Sequence, residues 1–345
     1  MSDTFLVSRT DAIGDVVLTL PVCGWLKQHQ PGCRVVLLGR AYTAAVAAAC
    51  PWVDEFIEID ALLQLTEFEQ IVKVSSYDAA AIIHVFPNKQ LARLAQKAAI
   101  PLRIGTRNRF FHWLTCNRLV ALSRRHSPLH EAQLNLQLLA PFGYTQALGL
   151  ADVAALVQLK AVVPLAPHFQ HLLAARQPGQ LNVLLHPRSR GSAREWGLAH
   201  FGQLARQLHA AGHRVFISGT AAEGEELATW LREHAEFITA DVTGQLSLPE
   251  FTAFIAAADG LVAGSTGPLH LAAALGRHAL GLYPPIRPMH PGRWAPLGPY
   301  ASYLVFDRPN CQDCRAVPTA CTCIKAIAVA TVAAQVHQWQ PLGAT

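Results

Sequence analysis

Short apolar, β-branched runs alternate with helical stretches along almost the whole chain, and this alternation restricts the fold more than any other feature. A strand over Phe5–Ser8 leads to a helical stretch from Asp15 towards His29. A strand over Arg34–Leu38, a helix near Ala41–Ala49 and a strand over Phe56–Ile59 follow. The pattern continues with strand Ala79–His84, a helix from Asn88 towards Ala98, strand Leu102–Gly105 and a helix over Glu131–Leu139. Strands that are apolar throughout suit parallel sheets covered on both faces, the product of repeated βαβ units. Pro164, Pro167 and Pro178 then interrupt regular structure, and a linker is expected between Pro164 and Gly179. A second winding follows, with strands over Asn182–His186, His213–Ser218, Gly260–Ala263 and Ala279–Tyr283. Helical stretches over Phe201–Ala211, Ala222–His234, Pro249–Ala258 and Gly267–Gly276 separate them. The expectation is an α/β chain of two Rossmann-like, doubly wound domains, residues 1–165 and 180–325. In such sheets ligands bind at the carboxyl ends of strands.

With 51% hydrophobic and 15% charged residues, the chain is too apolar for a disordered polypeptide. Every apolar stretch is cut by charge, Gly or Pro before reaching the roughly 20 residues that a membrane span needs. Met1-Ser2-Asp3-Thr4 runs directly into a strand-like segment without the basic and apolar parts of a signal peptide, so a cytoplasmic protein is expected.

The net charge of +5 is unevenly spread. From Ala79 to His130 there is no Asp or Glu, whereas Lys89, Arg93, Lys97, Arg103, Arg107, Arg109, Arg118, Arg124 and Arg125 all fall there. Within this basic stretch lies Phe110-Phe111-His112-Trp113-Leu114. Aromatic residues flanked by Arg suit an anionic membrane surface or an acidic, phosphorylated glycan, and a solvated basic face over a few core aromatics is the alternative. A recognition motif for DNA or RNA is missing, and no nucleic-acid partner is expected.

Three loops carry the chemistry. The first, Arg9-Thr10-Asp11-Ala12-Ile13-Gly14-Asp15, follows the first strand. Asp15 there either caps a helix or serves as a general base for a hydroxyl nucleophile. No G-x-G-x-x-G follows the strand, which disfavours a nicotinamide dehydrogenase. The second, His186 to Trp196, sets Arg188, Arg190 and Arg194 beside Ser189 and Ser192, a set of forks and hydroxyls suited to a diphosphate. The third, Ala263-Gly264-Ser265-Thr266-Gly267-Pro268-Leu269-His270, runs from small residues into a helix start, where amides and macrodipole favour phosphate. A Pro-rich loop from Tyr283 to Trp294 adds Arg287 and Arg293 as candidate contacts.

Together these loops resemble glycosyltransferase family nine, the bacterial heptosyltransferases. The resemblance is carried by Gly14-Asp15-Val16-Val17-Leu18-Thr19-Leu20-Pro21, Pro51-Trp52-Val53-Asp54-Glu55, His130-Glu131 and Arg194-Glu195-Trp196, and most specifically by Ser265-Thr266-Gly267-Pro268-Leu269-His270-Leu271-Ala272. It implies a GT-B fold, with two Rossmann-like domains facing across a cleft and a C-terminal helix, within 326–345, packing back on the first domain. It further implies inverting, metal-independent transfer of a sugar, heptose from ADP-heptose, to a lipopolysaccharide core or related anionic glycan or glycolipid, with peripheral contact at the inner membrane face. By position, Asp15 matches the catalytic base, and Arg9 a basic acceptor-side residue, joined by Arg107, Arg109 and Arg125. Ser189, Ser192, Arg194, Glu223, Leu246, Ser265, Thr266, Gly267 and His270 match the donor side. The chain departs from the pattern at Ser265, where an Asp is usual, and at Arg194, where a Lys is usual. It also has no Asp-x-Asp motif of the kind that holds a metal on a diphosphate, consistent with the cofactor-free catalysis that the resemblance implies. A nucleotide-sugar-binding protein without transfer, a transferase using a different nucleotide sugar and a sugar-nucleotide epimerase are the other readings.

Four cysteines, Cys23, Cys33, Cys50 and Cys116, stand singly among apolar neighbours and read as core thiols. Cys311, Cys314, Cys321 and Cys323 cluster without zinc-ribbon spacing, so a structural zinc or iron stands beside reduced thiols or a labile disulfide.

Overall fold

The computed structural model describes residues 3–343 other than 126, 288, 309, 310, 316, 318 and 319. The chain divides into two compact units, Met1–Lys160 and Ala161–Thr345.

In the first unit six strands form one wholly parallel sheet: β1 (Thr4–Ser8), β2 (Arg34–Gly39), β3 (Glu55–Glu58), β4 (Ala79–His84), β5 (Leu102–Thr106) and β6 (Arg118–Val120), in the order β3-β2-β1-β4-β5-β6. Every residue of β1 is buried, as continuous apolar runs in a parallel sheet require. On one face Leu6, Val36, Leu38 and Ile82 pack with Ile59, Leu62, Leu91 and Leu94.

The second unit repeats this plan with β7 (Asn182–His186), β8 (Arg214–Ile217), β9 (Ala240–Asp241), β10 (Gly260–Gly264), β11 (His278–Tyr283) and β12 (Ala301–Val305), in the order β12-β11-β10-β7-β8-β9. In both sheets the strand order reverses beside the first strand, between β1 and β4 and between β7 and β10. The loops leaving β1, β7 and β10 therefore open at topological switch points, where α/β sheets bind ligands.

Several expectations change in detail. The edge strands β6, β9 and β12 escape the sequence reading because they are short or only partly buried, so their apolar signal is weak. The expected helix from Asp15 is two helices, Ile13–Val17 and Leu20–His29, with Pro21 in the first turn of the second. The expected linker contains a helix, Pro167–Ala174, which packs on the helix Leu248–Ala257 of the second unit. At the C-terminus the helix Val329–Val336 contributes Val332, Ala333 and Val336 to the core around Trp196, Leu204 and Leu208. Beyond it Trp339 stacks on His278 with centroids 5.0 Å apart. The fully buried Asp259 accepts from the backbone N–H groups of Asn182 (2.7 Å) and Leu342 (2.8 Å) and from Arg176 (2.6 Å), tying the tail to the second sheet.

Candidate functional site

The loop leaving β1 gathers buried charge. Arg9 is 3% exposed, and its Nε donates to Asp11 Oδ1 at 2.6 Å. One Nη of Arg9 donates to Asp15 Oδ1, and the other reaches Glu131 Oε1 at 3.3 Å. Glu131, 1% exposed, also accepts from Arg124 Nε at 2.9 Å. Asn135 Oδ1 accepts from Arg124 at 3.0 Å, while its amide donates to Leu18 O at 3.0 Å. Three carboxylates thus share two guanidinium groups on a scaffold made by the ends of β1 and the helix Glu131–Leu136.

Asp15 is the third residue of its helix, whose N-cap, Ala12, receives no side-chain hydrogen bond. Its carboxylate is engaged by Arg9, so the capping alternative does not apply. Burial pushes the Asp15 pKa up to about 6, with Arg9 pulling it down and the nearby Asp11 and Glu131 pushing it up. A carboxylate with a pKa raised towards neutrality, yet still mostly ionised at pH 7, is a competent proton acceptor. Beside this cluster the buried His84 ring faces Ser8 Oγ at 3.3 Å, and burial lowers its pKa to about 3, so the imidazole is neutral.

At the end of β7 the buried His186 ring meets Ser218 Oγ at 3.1 Å. The loop that follows turns through the left-handed region at Arg190 (φ +50°) and Gly191 (φ +79°). Ser189 Oγ donates to Ala193 O (3.1 Å), and Ser192 Oγ donates to Ser189 O (2.7 Å). Its three guanidinium groups are not equally open. Arg188 pairs with Glu195 (3.2 Å) and Glu226 (3.2 Å), and the buried Arg194 donates to Cys314 Sγ (3.3 Å) and Cys314 O (3.0 Å). Only Arg190 is exposed.

The loop leaving β10 lies against this one, since a Cβ on Gly264 would stand 3.2 Å from Arg194 O. Ser265 is half-buried, and the nearby Tyr283 hydroxyl donates to Trp294 O at 2.5 Å. Thr266 is the N-cap of the helix Gly267–Ala274 and makes no side-chain cap, and its buried hydroxyl has no partner among the described residues. Gly267 opens the helix, Pro268 occupies its first turn and His270 is buried one turn in. After β8, Glu223 closes a capping box, with its Oε2 accepting from Thr220 N (2.7 Å) and Oγ1 (2.9 Å). Leu246 is half-buried in the turn after β9.

The structure therefore brings together Arg9 with Asp15, and Ser189, Arg194, Thr266, Gly267 and His270 around adjacent strand ends. Arg107, Arg109 and Arg125 are exposed, and no described contact joins them to the Asp15 cluster. Asp11, Arg124, Glu131 and Asn135 join it without having been assigned a role from sequence. Arg287 is exposed and, with His290 and Arg308, lines a cavity of about 380 Å³ in the second unit. Arg293 lies over the Trp294 ring at 4.9 Å.

The scattered thiols Cys23, Cys33, Cys50 and Cys116 are all buried, and burial raises their pKa values. The clustered four stand as two contacts, Cys311 with Cys323 (Sγ to Sγ 3.5 Å) and Cys314 with Cys321. Among the described residues no three His, Cys, Asp or Glu side chains gather as a metal-ligand set. No described helix is long and apolar enough to cross a membrane.

The profile of glycosyltransferase family 9 (heptosyltransferase) matches residues 65–325. Lipopolysaccharide heptosyltransferase 1 of Escherichia coli is 26% identical over 302 residues, covering 82% of this chain and 88% of that protein. Among solved structures, a family 9 glycosyltransferase from Veillonella parvula superposes with a TM-score of 0.79 at 17% identity, covering 97% of each chain. The Escherichia coli ADP-heptose lipopolysaccharide heptosyltransferase II gives 0.73 at 18% identity, again covering 97% of each.

Proposed function

This chain belongs to glycosyltransferase family 9 and is a glycosyltransferase with that family's pair of Rossmann-like units, and from this premise we propose an inverting transfer in which Asp15 is the general base. The observation that carries the proposal is the Asp15 carboxyl, held near pH 6 by burial against the pull of Arg9. Asp15 takes the proton from an acceptor hydroxyl while that oxygen attacks the anomeric carbon of the donor. The bond from the anomeric carbon to the diphosphate oxygen breaks, and a single displacement inverts the centre. Arg9, already tied to Asp11 and Glu131, keeps the Asp15 carboxylate oriented and ionised.

For the donor we propose ADP-heptose, in keeping with the names of the relatives. The helix start at Thr266–Gly267, with His270, Ser189, Ser192 and Arg194, would take the diphosphate, whose developing charge falls to fixed protein donors. Glu223, with one oxygen spent on its capping box, and Leu246 would face the nucleoside. The acceptor would be an anionic, lipid-linked glycan of the lipopolysaccharide core, met by Arg107, Arg109 and Arg125 at the inner membrane face. Ser265 favours a second reading, a different nucleotide sugar, because it supplies no carboxylate at this position.

Calorimetric titration with ADP, UDP, GDP and CDP in EDTA separates the two. Selective ADP binding is expected, and preference for another nucleotide would overturn the ADP-heptose donor. In the same experiment Thr266→Val should weaken ADP binding by about tenfold or more, the size of a lost hydrogen bond to a charged group. Its melting temperature should not fall, because the hydroxyl has no partner within the described protein.

A further inference from the structure

We propose that the helix Phe110–Thr115 is a membrane-docking element, whose apolar edge enters the headgroup level of an anionic bilayer while the surrounding cations meet lipid phosphates. This deepens the preceding reading by naming the surface, and rests on it only for the presence of a lipid-linked acceptor.

Phe110, Trp113 and Leu114 are 80%, 59% and 63% exposed. Their spacing of three and four residues places them on one face of the helix. His112 and Thr115 are buried on its other side. The helix is firmly seated: His112 Nδ1 accepts from Thr106 N at 3.0 Å, and Gln96 Nε2 of the helix Lys89–Lys97 donates to Leu114 O at 2.9 Å. Trp113 Nε1 donates to Arg107 O at 2.9 Å, which fixes the indole while leaving its apolar surface outside. The exposed edge is thus preorganised.

Its surroundings are cationic. Arg109 is the N-cap, and Arg107 and Arg118 flank the helix along the chain. Lys89 and Arg93 share the exposed side of the neighbouring helix with Gln96. None of these five has an acidic partner among the described residues, although Lys97 is bonded to Glu67. Lys27, by contrast, pairs with Asp54 and Arg34 with Glu55. A short, rigid helix with Phe, Trp and Leu outward and unneutralised Arg and Lys around it matches an interfacial lipid anchor. Three apolar side chains on six residues are too small a surface for a stable protein interface, which needs roughly 800 Å² from each partner.

The test is sedimentation of the full chain with vesicles of mixed phosphatidylethanolamine and phosphatidylglycerol, with phosphatidylcholine vesicles as the neutral control. Partition into the anionic vesicles only, weakening with added salt, is expected. The triple variant Phe110→Ser, Trp113→Ser, Leu114→Ser should lose about tenfold or more of that partition, with nucleotide binding and melting temperature retained. Phe110→Ser alone, at the most exposed position, should lose several-fold and covers the case in which the triple variant does not fold. Failure of the parent chain to bind anionic vesicles, equal binding to neutral ones, or undiminished partition of a folded variant would each overturn the proposal. None of these readouts depends on sugar transfer, so they stand apart from failure of the proposed reaction.

Discussion

Asp15→Asn should lower the turnover of sugar transfer by about a hundredfold or more while ADP affinity stays within about twofold, the signature of losing a general base. The isosteric amide retains the contact with Arg9 through its oxygen but cannot take a proton at neutral pH. The donor cradle belongs to the loops of the second sheet, around Thr266 and Gly267, and Asp15 lies at the end of β1 in the first. A turnover equal to that of the parent enzyme would remove Asp15 from the proposed role.

Arg9→Met should have the largest effect on stability. Its guanidinium, 3% exposed, meets Asp11, Asp15 and Glu131, and its removal takes a positive charge away from all three carboxylates. Uncompensated buried charge of this kind costs about 3–5 kcal/mol, which lowers the melting temperature of a unit this size by about 10 °C. Adding Glu131→Gln should recover part of the loss, since one stranded charge is then gone. Arg9 also pulls the Asp15 pKa down, so in Arg9→Met that pKa should rise beyond about 6. Scanning calorimetry of the variants checks the first effect, and an unchanged melting temperature of Arg9→Met would contradict it.

The same carboxyl sets stability and activity against each other. The folded pKa of Asp15, about 6, lies above the ordinary carboxylate value. Its protonated form therefore favours the fold, a contribution complete below about pH 4 and lost as pH rises through about 6. In the proposed reaction Asp15 acts in its ionised form, so it would work where this carboxyl costs stability.

Much of the architecture is legible in the sequence because buried parallel strands are apolar throughout, and β1, β2, β4, β7, β10 and β11 announce themselves as such. The edge strands β6, β9 and β12 do not, since an edge needs less apolar cover, although the edge strand β3 is still readable from Phe56 and Ile57. Asp15 and the Ser265–His270 turn are legible from local pattern. The pairing that tunes Asp15 is not, because Glu131 lies 122 residues from Arg9 in the chain and only the packing of the helix Glu131–Leu136 brings it near. Arg124 illustrates the same limit. It is one of nine basic residues in a stretch without acids, and nothing local distinguishes it from Arg125, which is exposed. Arg194 shows the reverse case: an Arg in an open-looking loop is already engaged by Cys314, 120 residues away.

The most direct test of the central claim is the pH dependence of kcat/KM for transfer from ADP-heptose to a lipopolysaccharide-core acceptor. A single ionisation near pH 6 is expected, with activity rising tenfold per pH unit below it and the limb absent from Asp15→Asn. A profile flat from about pH 5 to 8, or one with the same limb in Asp15→Asn, would contradict Asp15 as the base.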